Sequence, residues 1–185
     1  TFDRMLSPHV PSVSSDNYNG GVLAAKHLLE KGCKRPAYLM DTRRMGMHAN
    51  YRYDGFADTF KKSGIETIVH AAPLDCFISL SYADAISEFF QLYPGIDCVF
   101  TSNDVIASQV LRYCALHAIS VPTQLKVVGY DDIDMASFVT PSITTIRQPV
   151  DDLCRFAVES IINFKERSIP SLTLFPVTLI EREST

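Results

Sequence analysis

The sequence predicts an α/β fold built on a doubly wound parallel sheet. Short runs of apolar β-branched or aromatic residues alternate along the chain with amphipathic helical patterns, which is the signature of βαβ units. The run Val127–Tyr130 is followed by Asp131, Asp132 and Asp134, as expected of a buried parallel strand that delivers carboxylates to the ligand-bearing edge of an open sheet. With 185 residues, 46% of them hydrophobic, the chain can form one well-cored domain or two small lobes that share a cleft.

Each element follows from a local signal. Asp16 or Asn17 can cap the first helix, Gly32 ends it, and Pro94-Gly95 breaks a later one. The strongest helical stripe lies in the last helix, where Leu153, Phe156, Ala157, Ser160, Ile161 and Phe164 share a face. In chain order we predict a strand at 10–14, a helix to 31, a strand at 36–40, a helix at 50–63, a strand at 67–71, a helix at 79–93, a strand at 98–101, a helix at 104–117, strands at 127–130 and 142–147, a helix at 151–165 and a strand at 172–180.

Charge and hydropathy exclude several functional classes. The net charge is −4, the pI is about 5.7, and the lysines and arginines are scattered, so this chain alone lacks the basic surface of a nucleic-acid-binding protein. It has no apolar run of ~18 residues for a membrane span, and its first four residues do not look like a signal peptide. We therefore expect a cytoplasmic protein without a membrane partner.

The sequence contains no recognisable metal or catalytic motif. The five cysteines, odd in number and without a C-x-x-C pair, predict reduced and mostly structural thiols rather than a disulfide framework or a zinc site. The acids at 131, 132 and 134 lack the glycine and distal glutamate of a calcium-binding loop. Gly20-Gly21 does not match a nucleotide-binding loop, and the histidines are dispersed. We predict no metal, no cofactor, no catalytic residue and hence no enzyme.

Eight ordered blocks carry a resemblance to a known family. They are Phe2-Asp-Arg4, Val13-x-x-Asp16-Asn17 with Gly20-Gly21, His27-Leu28-x-x-x-Gly32, Arg52-x-x-Gly55-Phe56, Ser102-Asn103-Asp104, Val127-Val-Gly-Tyr-Asp-Asp132, Thr144-Thr-Ile-x-Gln148-Pro149 and Phe175-Pro-x-x-Leu179-x-x-Arg182. In this order the chain resembles the effector-binding core of the lactose/galactose repressor family over essentially its whole length. The resemblance implies the fold of type I periplasmic binding proteins, in which three crossovers join two α/β lobes around a small-molecule cleft.

The resemblance also implies that the chain is a fragment. We expect residues 1–185 to form an effector-binding and dimerisation domain, with a nearly complete C-terminal lobe at about 16–146 and 168–185. Remnants of the N-terminal lobe would lie at about 1–15 and 147–167, most of that lobe would be missing, and the DNA-binding headpiece would be absent. The stripe of the last helix would then be exposed, so the isolated chain is expected to self-associate or to be poorly soluble.

The strongest ligand-binding candidates are Asp131, Arg52 and Asn103, each of which matches a cleft position of the family. A carboxylate or guanidinium can bind two adjacent sugar hydroxyls in a forked pair of hydrogen bonds, and a buried one penalises ligands that lack them. Each residue also has a purely structural alternative. Asp131 could cap a turn, Arg52 could pair with Asp54 or Asp58 on a solvated face, and Asn103 could cap a helix.

Further candidates come from the resemblance alone. Asp3 and Gln148 match positions that the other lobe and its crossover contribute, or they could satisfy the backbone of the hinge. Asp16 lies at the first crossover and could instead cap a helix, and His48 lies in a variable, ligand-selective loop or simply at the surface. Phe77 or its neighbour Cys76 falls where the family often has an aromatic residue that stacks on the ligand.

The expected function is that of a ligand-sensing domain of a bacterial repressor. A sugar is the expected effector: the loop 42–48 does not match the purine-responding members, which argues against a purine and leaves the sugar class open. A homodimer would form through the helix from Asp104, including Ile106 and Val110, and through the segment around Phe138, while operator DNA would be bound only by a separate headpiece. The alternatives are an extracytoplasmic sugar-binding transport receptor, or a regulator that senses a purine, a sugar phosphate or a phosphoprotein.

Overall fold

The computed structural model describes residues 1–2, 10–41, 50–163 and 170–185. Its elements are β1 (Ser12–Ser15), α1 (Asn17–Glu30), β2 (Pro36–Asp41), α2 (Asn50–Lys62), β3 (Ile68–Ala72), α3 (Leu74–Ser79), α4 (Ala83–Leu92), β4 (Cys98–Thr101), α5 (Asp104–Leu116), β5 (Lys126–Asp131), α6 (Met135–Phe138), β6 (Thr144–Arg147), α7 (Val150–Ile162), β7 (Leu172–Phe175) and β8 (Thr178–Ile180). The strands form a six-stranded sheet in the order β3-β2-β4-β5-β6-β8 and a separate pair, β1-β7. Among these described strands, every pairing is parallel except that of β8 with β6, which confirms the predicted parallel α/β fold.

Apolar clusters cover both faces of the larger sheet. On one face, α1 and α2 pack against an aromatic group that includes Tyr38, Phe56, Phe100 and Tyr130. On the other face, α4 and α5 contribute residues such as Phe89 to a second cluster. Because β2, β4 and β5 are buried on both faces, their sequences are continuous apolar runs rather than alternating patterns.

The chain passes between the two sheets three times. It leaves the smaller sheet after β1 to form α1, returns after β6 to form α7, and crosses again between β7 and β8. Phe2 forms an additional parallel bridge with Val13 beside the smaller sheet. This connectivity agrees with the three crossovers that the resemblance implies.

The predicted strand at 172–180 is wrong, because it divides into β7 in the smaller sheet and β8 in the larger one. Pro176 lies at the division, and a proline cannot donate a backbone hydrogen bond to a sheet. The segment 168–185, which we assigned to the C-terminal lobe, therefore includes a strand of the smaller sheet, β7. The helix predicted at 79–93 is shorter in the structure, where α4 spans Ala83–Leu92. Before it, Leu80 adopts a left-handed conformation that ends α3, a helix that the sequence did not predict.

The smaller sheet and α7 leave a large apolar face exposed. Leu153 is the buried residue of α7, whereas Ile161 of the predicted stripe is 76% exposed. Val158, Ile162, Leu172 and Leu174 are exposed as well. In the described ranges, every helix is too short or too polar to cross a membrane.

Candidate functional site

Several sequence-predicted residues meet at the carboxyl edge of the larger sheet. Asp131 ends β5, Asn103 follows β4, and Gln148 follows β6. Arg52 lies in the first turn of α2, the helix that follows β2 in the chain. The ends of parallel strands form the usual ligand-binding edge of an open α/β sheet, so the topology converts residues far apart in sequence into one candidate site.

Arg52 is the buried centre of this site, with only 2% of its side chain exposed. Its Nε donates to Oδ1 of Asn17 at 2.7 Å, and its Nη1 donates to the carbonyl oxygen of Ser102 at 2.6 Å. The guanidinium carbon lies 3.4 Å from the ring centroid of Tyr130, and Nη1 is 3.7 Å from Oδ1 of Asp131. The neighbours therefore compensate the buried charge through hydrogen bonds, a cation–π contact and a carboxylate.

The alternative position of Arg52, on a solvated face beside Asp54 or Asp58, is wrong. Asp58 instead accepts a hydrogen bond from the hydroxyl of Tyr18 at 3.0 Å. The helical spacing of Arg52 and these acids cannot show that the Arg52 side chain reaches the carbonyl of Ser102 and the ring of Tyr130.

Gln148 connects the crossovers to Asp131. Its Nε2 donates to Oδ1 of Asp131 at 2.7 Å, and its Oε1 accepts from the hydroxyl of Ser15 at 2.8 Å. Ser15 ends β1 and Gln148 follows β6, so both sit where the chain passes between the sheets. The orientation of Asp131 is thus coupled to the two crossovers as well as to Arg52.

The backbone at the end of β5 is held in an unusual conformation. Asp131 has φ 108° and Asp132 has φ 56°, both in the region that non-glycine residues rarely adopt. Asp132 accepts from Nε of Arg147 at 2.5 Å and from Nη2 of Arg182 at 2.7 Å. Burial opposes ionisation of Asp132, but the two arginines outweigh it and hold its pKa below the ordinary value. These bonds compensate for the strain and fix the strand end that presents Asp131.

A second acid, Asp104, lies fully buried beneath this strand end. Its Oδ1 accepts from the hydroxyl of Thr145 at 2.6 Å, and its Oδ2 accepts from the backbone N–H of Ile133 at 3.0 Å. Burial raises the pKa of Asp104 to about 7, against the opposing effect of these hydrogen bonds. A Cβ atom on Gly129 would lie 2.0 Å from Oδ1 of Asp104, which explains the glycine in the middle of β5.

The family of this chain follows from its match to known proteins. A family model described as the periplasmic binding protein-like domain matches residues 25–185. The chain belongs to this family.

The relatives of this periplasmic binding protein-like chain include sugar operon repressors. It is 30% identical to the ribose operon repressor of Halalkalibacterium halodurans over 100% of its own length and 55% of the repressor. It is 30% identical to the sucrose operon repressor of Streptococcus mutans over 99% of its own length and 56% of that protein. The chain therefore spans about half the length of these relatives, and they confirm the resemblance to the repressor family.

A solved structure supports the same fold. A periplasmic binding protein/LacI transcriptional regulator from Alkaliphilus metalliredigens, complexed with D-xylulofuranose, is 27% identical and superposes with a TM-score of 0.85. The match covers 100% of this chain and 69% of that structure.

Two of the predicted ligand residues of this periplasmic binding protein-like chain serve as helix caps. Asp16 caps α1 by accepting from the N–H of Asn19 at 2.9 Å, and Asn103 caps α5 by accepting from the N–H of Ile106 at 2.9 Å. These are the structural alternatives that the sequence left open. The cap uses only the Oδ1 atom of Asn103, so the Nδ2 group of the same side chain can still donate a hydrogen bond to a ligand at the end of β4.

The remaining ligand candidates are placed less fully. Phe77 lies on α3, after the edge strand β3, and is half-buried, whereas Cys76 packs against the core beside it. Asp3 and His48 lie outside the described residues. Sequence reasoning missed Asn17, Ser15 and Tyr130 as partners in the site, although Asn17 and Tyr130 belong to two of the motif blocks.

The predicted dimer residues divide into two groups. Phe138 is 77% exposed, as expected of an apolar anchor. Ile106 and Val110 are fully buried in the core of the chain, so their assignment to a dimer surface is wrong. An apolar helical face predicts burial but does not say whether the covering surface belongs to the same chain or to a partner.

Proposed function

We propose that this chain is the effector-binding part of a non-catalytic transcription repressor that responds to a sugar. The repressors to which it is related by sequence, and the sugar-bound regulator to which its fold is similar, support this proposal. The observation that carries it is the arrangement of Arg52, Asp131 and Gln148 at the carboxyl edge of the larger sheet.

The charges of this set favour a neutral ligand rich in hydroxyl groups. Arg52 and Asp131 carry opposite charges 3.7 Å apart, so the pair is neutral overall, whereas a phosphorylated ligand would need an excess of positive charge. The carboxylate accepts and the guanidinium donates, which suits adjacent hydroxyl groups that can do both. A sugar therefore fits this pair better than a sugar phosphate or a phosphoprotein does.

Regulation would act through the crossovers. Ser15 and Gln148 lie where the chain passes between the two sheets, and Gln148 is bonded to Asp131. A ligand that binds Asp131 would compete for this bond and so favour one arrangement of the sheets over another. It can shift that equilibrium only by its difference in affinity for the two arrangements.

The partners follow from the same proposal. The regulator would act in the cytoplasm as a homodimer with Phe138 as an apolar anchor, and operator DNA would be bound by a separate headpiece. The acidic net charge of −4 agrees with DNA binding outside these residues.

The test is a thermal-shift screen of the protein produced from its complete gene. Ribose, xylulose and sucrose are compared with sugar phosphates and purines. A ligand at a hundredfold excess over its Kd adds about 2.7 kcal/mol of stability, which corresponds to roughly 5–10 °C in Tm for a domain of this size. We expect a shift with at least one neutral sugar.

Asp131→Asn should abolish the shift, because the amide lacks the negative charge and has only one acceptor oxygen, so it cannot accept from two adjacent hydroxyls through a forked pair of charged oxygens. Asp134→Asn is the matched control, because Asp134 is an exposed acid three residues further along. A shift with sugar phosphates alone, or one that survives Asp131→Asn, would contradict the proposal.

A further inference from the structure

Two cysteines that are far apart in sequence meet at the amino edge of the larger sheet. Cys33 lies in the loop between α1 and β2, and Cys98 is the first residue of β4. Parallel pairing of Pro36 with Cys98 brings the two segments together. The two sulfur atoms and a carboxylate oxygen of Asp97 all lie within 4.8 Å of one another.

This cluster is separate from the candidate sugar site. Cys98 begins its strand, whereas Asn103 follows the carboxyl end of the same strand. The cluster of Cys33, Asp97 and Cys98 therefore lies at the opposite edge of the sheet, away from the Arg52–Asp131–Gln148 network.

The carboxylate of the cluster is already fixed in place. The backbone N–H groups of Lys34 and Arg35 donate to its two oxygens, at 2.7 Å and 2.9 Å. Each carboxylate oxygen has a second lone pair, so these bonds orient Asp97 without exhausting it as a ligand. Hydrogen bonds of this kind commonly hold the ligands of metal sites in position.

The thiols are buried but chemically distinct. Cys33 is 4% exposed and Cys98 is fully buried, while Asp97 is half-exposed. The hydrogen bond from Cys98 lowers the pKa of Cys33, and burial raises the pKa of Cys98 well above its ordinary value. Lys126 is close enough to favour the thiolate of Cys33 and would partly offset the negative charge of the set.

We propose that Cys33, Cys98 and Asp97 bind one thiophilic divalent cation of the zinc class. Two thiolates and one carboxylate oxygen supply three ligands of a tetrahedral site, and water fills the fourth position. Sulfur atoms on one zinc ion lie about 3.8 Å apart at ordinary Zn–S lengths, so donors within 4.8 Å need to approach by about 1 Å at most. Binding changes no oxidation state: two S–H bonds break, two metal–sulfur bonds form, and two protons go to the solvent.

A disulfide between Cys33 and Cys98 is the competing interpretation. It would require an external oxidant, and it would make no use of the Asp97 carboxylate, which has an oxygen within 4.8 Å of both sulfurs. The third donor therefore favours the metal.

The test uses Co²⁺ as a spectroscopic probe and Zn²⁺ as its competitor. The protein from the complete gene is reduced with a phosphine, which does not compete as a thiol would. We expect one equivalent of Co²⁺ to give a sulfur-to-metal charge-transfer band and the strong visible bands of a tetrahedral site, and Zn²⁺ to remove them. Because two thiols lose protons, the apparent affinity should rise up to about a hundredfold per pH unit while both are protonated in the free protein.

Cys33→Ser should abolish the charge-transfer band, and Asp97→Asn should weaken binding while its remaining oxygen keeps one backbone contact. Cys114→Ser is the matched control, since Cys114 is an equally buried thiol outside the cluster and its loss should leave the band unchanged. Zn²⁺ should raise the Tm of the wild type and of Cys114→Ser but not that of Cys33→Ser.

The proposal is overturned if the wild type shows no charge-transfer band, or if the band persists in Cys33→Ser. It is also overturned if the protein handled in air yields a Cys33–Cys98 disulfide by peptide mapping and the reduced form binds no Co²⁺. Cys33 lies in a loop, so Cys33→Ser remains informative even if substitution of the strand residue Cys98 prevents folding.

Discussion

Replacement of Asp104 by asparagine should remove a large pH dependence from the stability of this protein. Asp104 is fully buried, and burial raises its pKa from 3.8 to about 7, although the bonds from Thr145 and Ile133 oppose the shift. Between these two values the unfolded chain has lost the proton and the folded chain retains it. The folded state therefore binds more protons, and the free energy of unfolding falls as the pH rises through this window.

The size of the effect follows from the shift. Each pKa unit corresponds to about 1.4 kcal/mol, so a rise from 3.8 to about 7 amounts to about 4 kcal/mol between pH 4 and pH 8. The asparagine side chain of the Asp104→Asn variant would not titrate. Its amide can be oriented so that the oxygen accepts from Ile133 and the nitrogen donates to Thr145, whose hydroxyl can accept as well as donate.

The assay is urea denaturation of the protein from the complete gene, as wild type and as Asp104→Asn, at a series of pH values from 4 to 8. The difference in unfolding free energy between the two proteins cancels the other titrating groups. We expect the variant to gain about 4 kcal/mol relative to the wild type across this range, with most of the change complete by pH 7. A constant difference between Asp104→Asn and the wild type would refute the burial argument.

Three further predictions test packing and assembly. Gly21→Ala should lower the free energy of unfolding by about 3 kcal/mol, because the new Cβ would lie 2.0 Å from the carbonyl oxygen of Arg52. Gly32→Ala, in open space at φ +82°, should lower it by only about 1 kcal/mol. Equal losses for the two variants in urea denaturation would contradict the close contact of α1 and α2. Phe138→Asp should yield monomers in analytical ultracentrifugation, and an unchanged sedimentation profile would argue against that surface. The 185-residue chain alone should self-associate through the exposed face around Ile161, and a monodisperse monomer that unfolds cooperatively would contradict this.

The parts of the fold that the sequence predicted well are those with a single physical solution. The apolar run that ends at Asp131 is typical of a strand buried on both faces of a parallel sheet, and the structure confirms β5 with parallel neighbours on both sides. The run at 172–180 allowed two solutions, one continuous strand or two strands on different sheets. Pro176 decides between them, but a proline inside a run is also compatible with an edge strand, so its effect depends on neighbours that the sequence does not identify.

The candidate site was predictable as a set of residues but not as a network. The motif blocks identified Arg52, Asp131 and Gln148, yet nothing in their spacing shows that Gln148 bonds Asp131 or that Tyr130 lies against the guanidinium. The assignment of Ile106 and Val110 failed for a related reason. An apolar stripe shows which face of a helix is buried. Whether that face packs against the same chain or against a partner depends on the whole fold.

The cysteine cluster shows how far such long-range placement can alter a functional inference. Spacing rules detect metal ligands that lie close together in sequence, and Cys33 and Cys98 are 65 residues apart. They meet because β2 pairs with β4 in the register that places Pro36 beside Cys98, and that register is set by burial of the aromatic cluster around Phe100. A slip of one residue would turn Cys98 to the opposite face of the sheet. The strand register therefore places Cys98 at the edge of the sheet where the loop that carries Cys33 enters β2, which is the reason to expect a preformed site rather than a chance approach of two thiols.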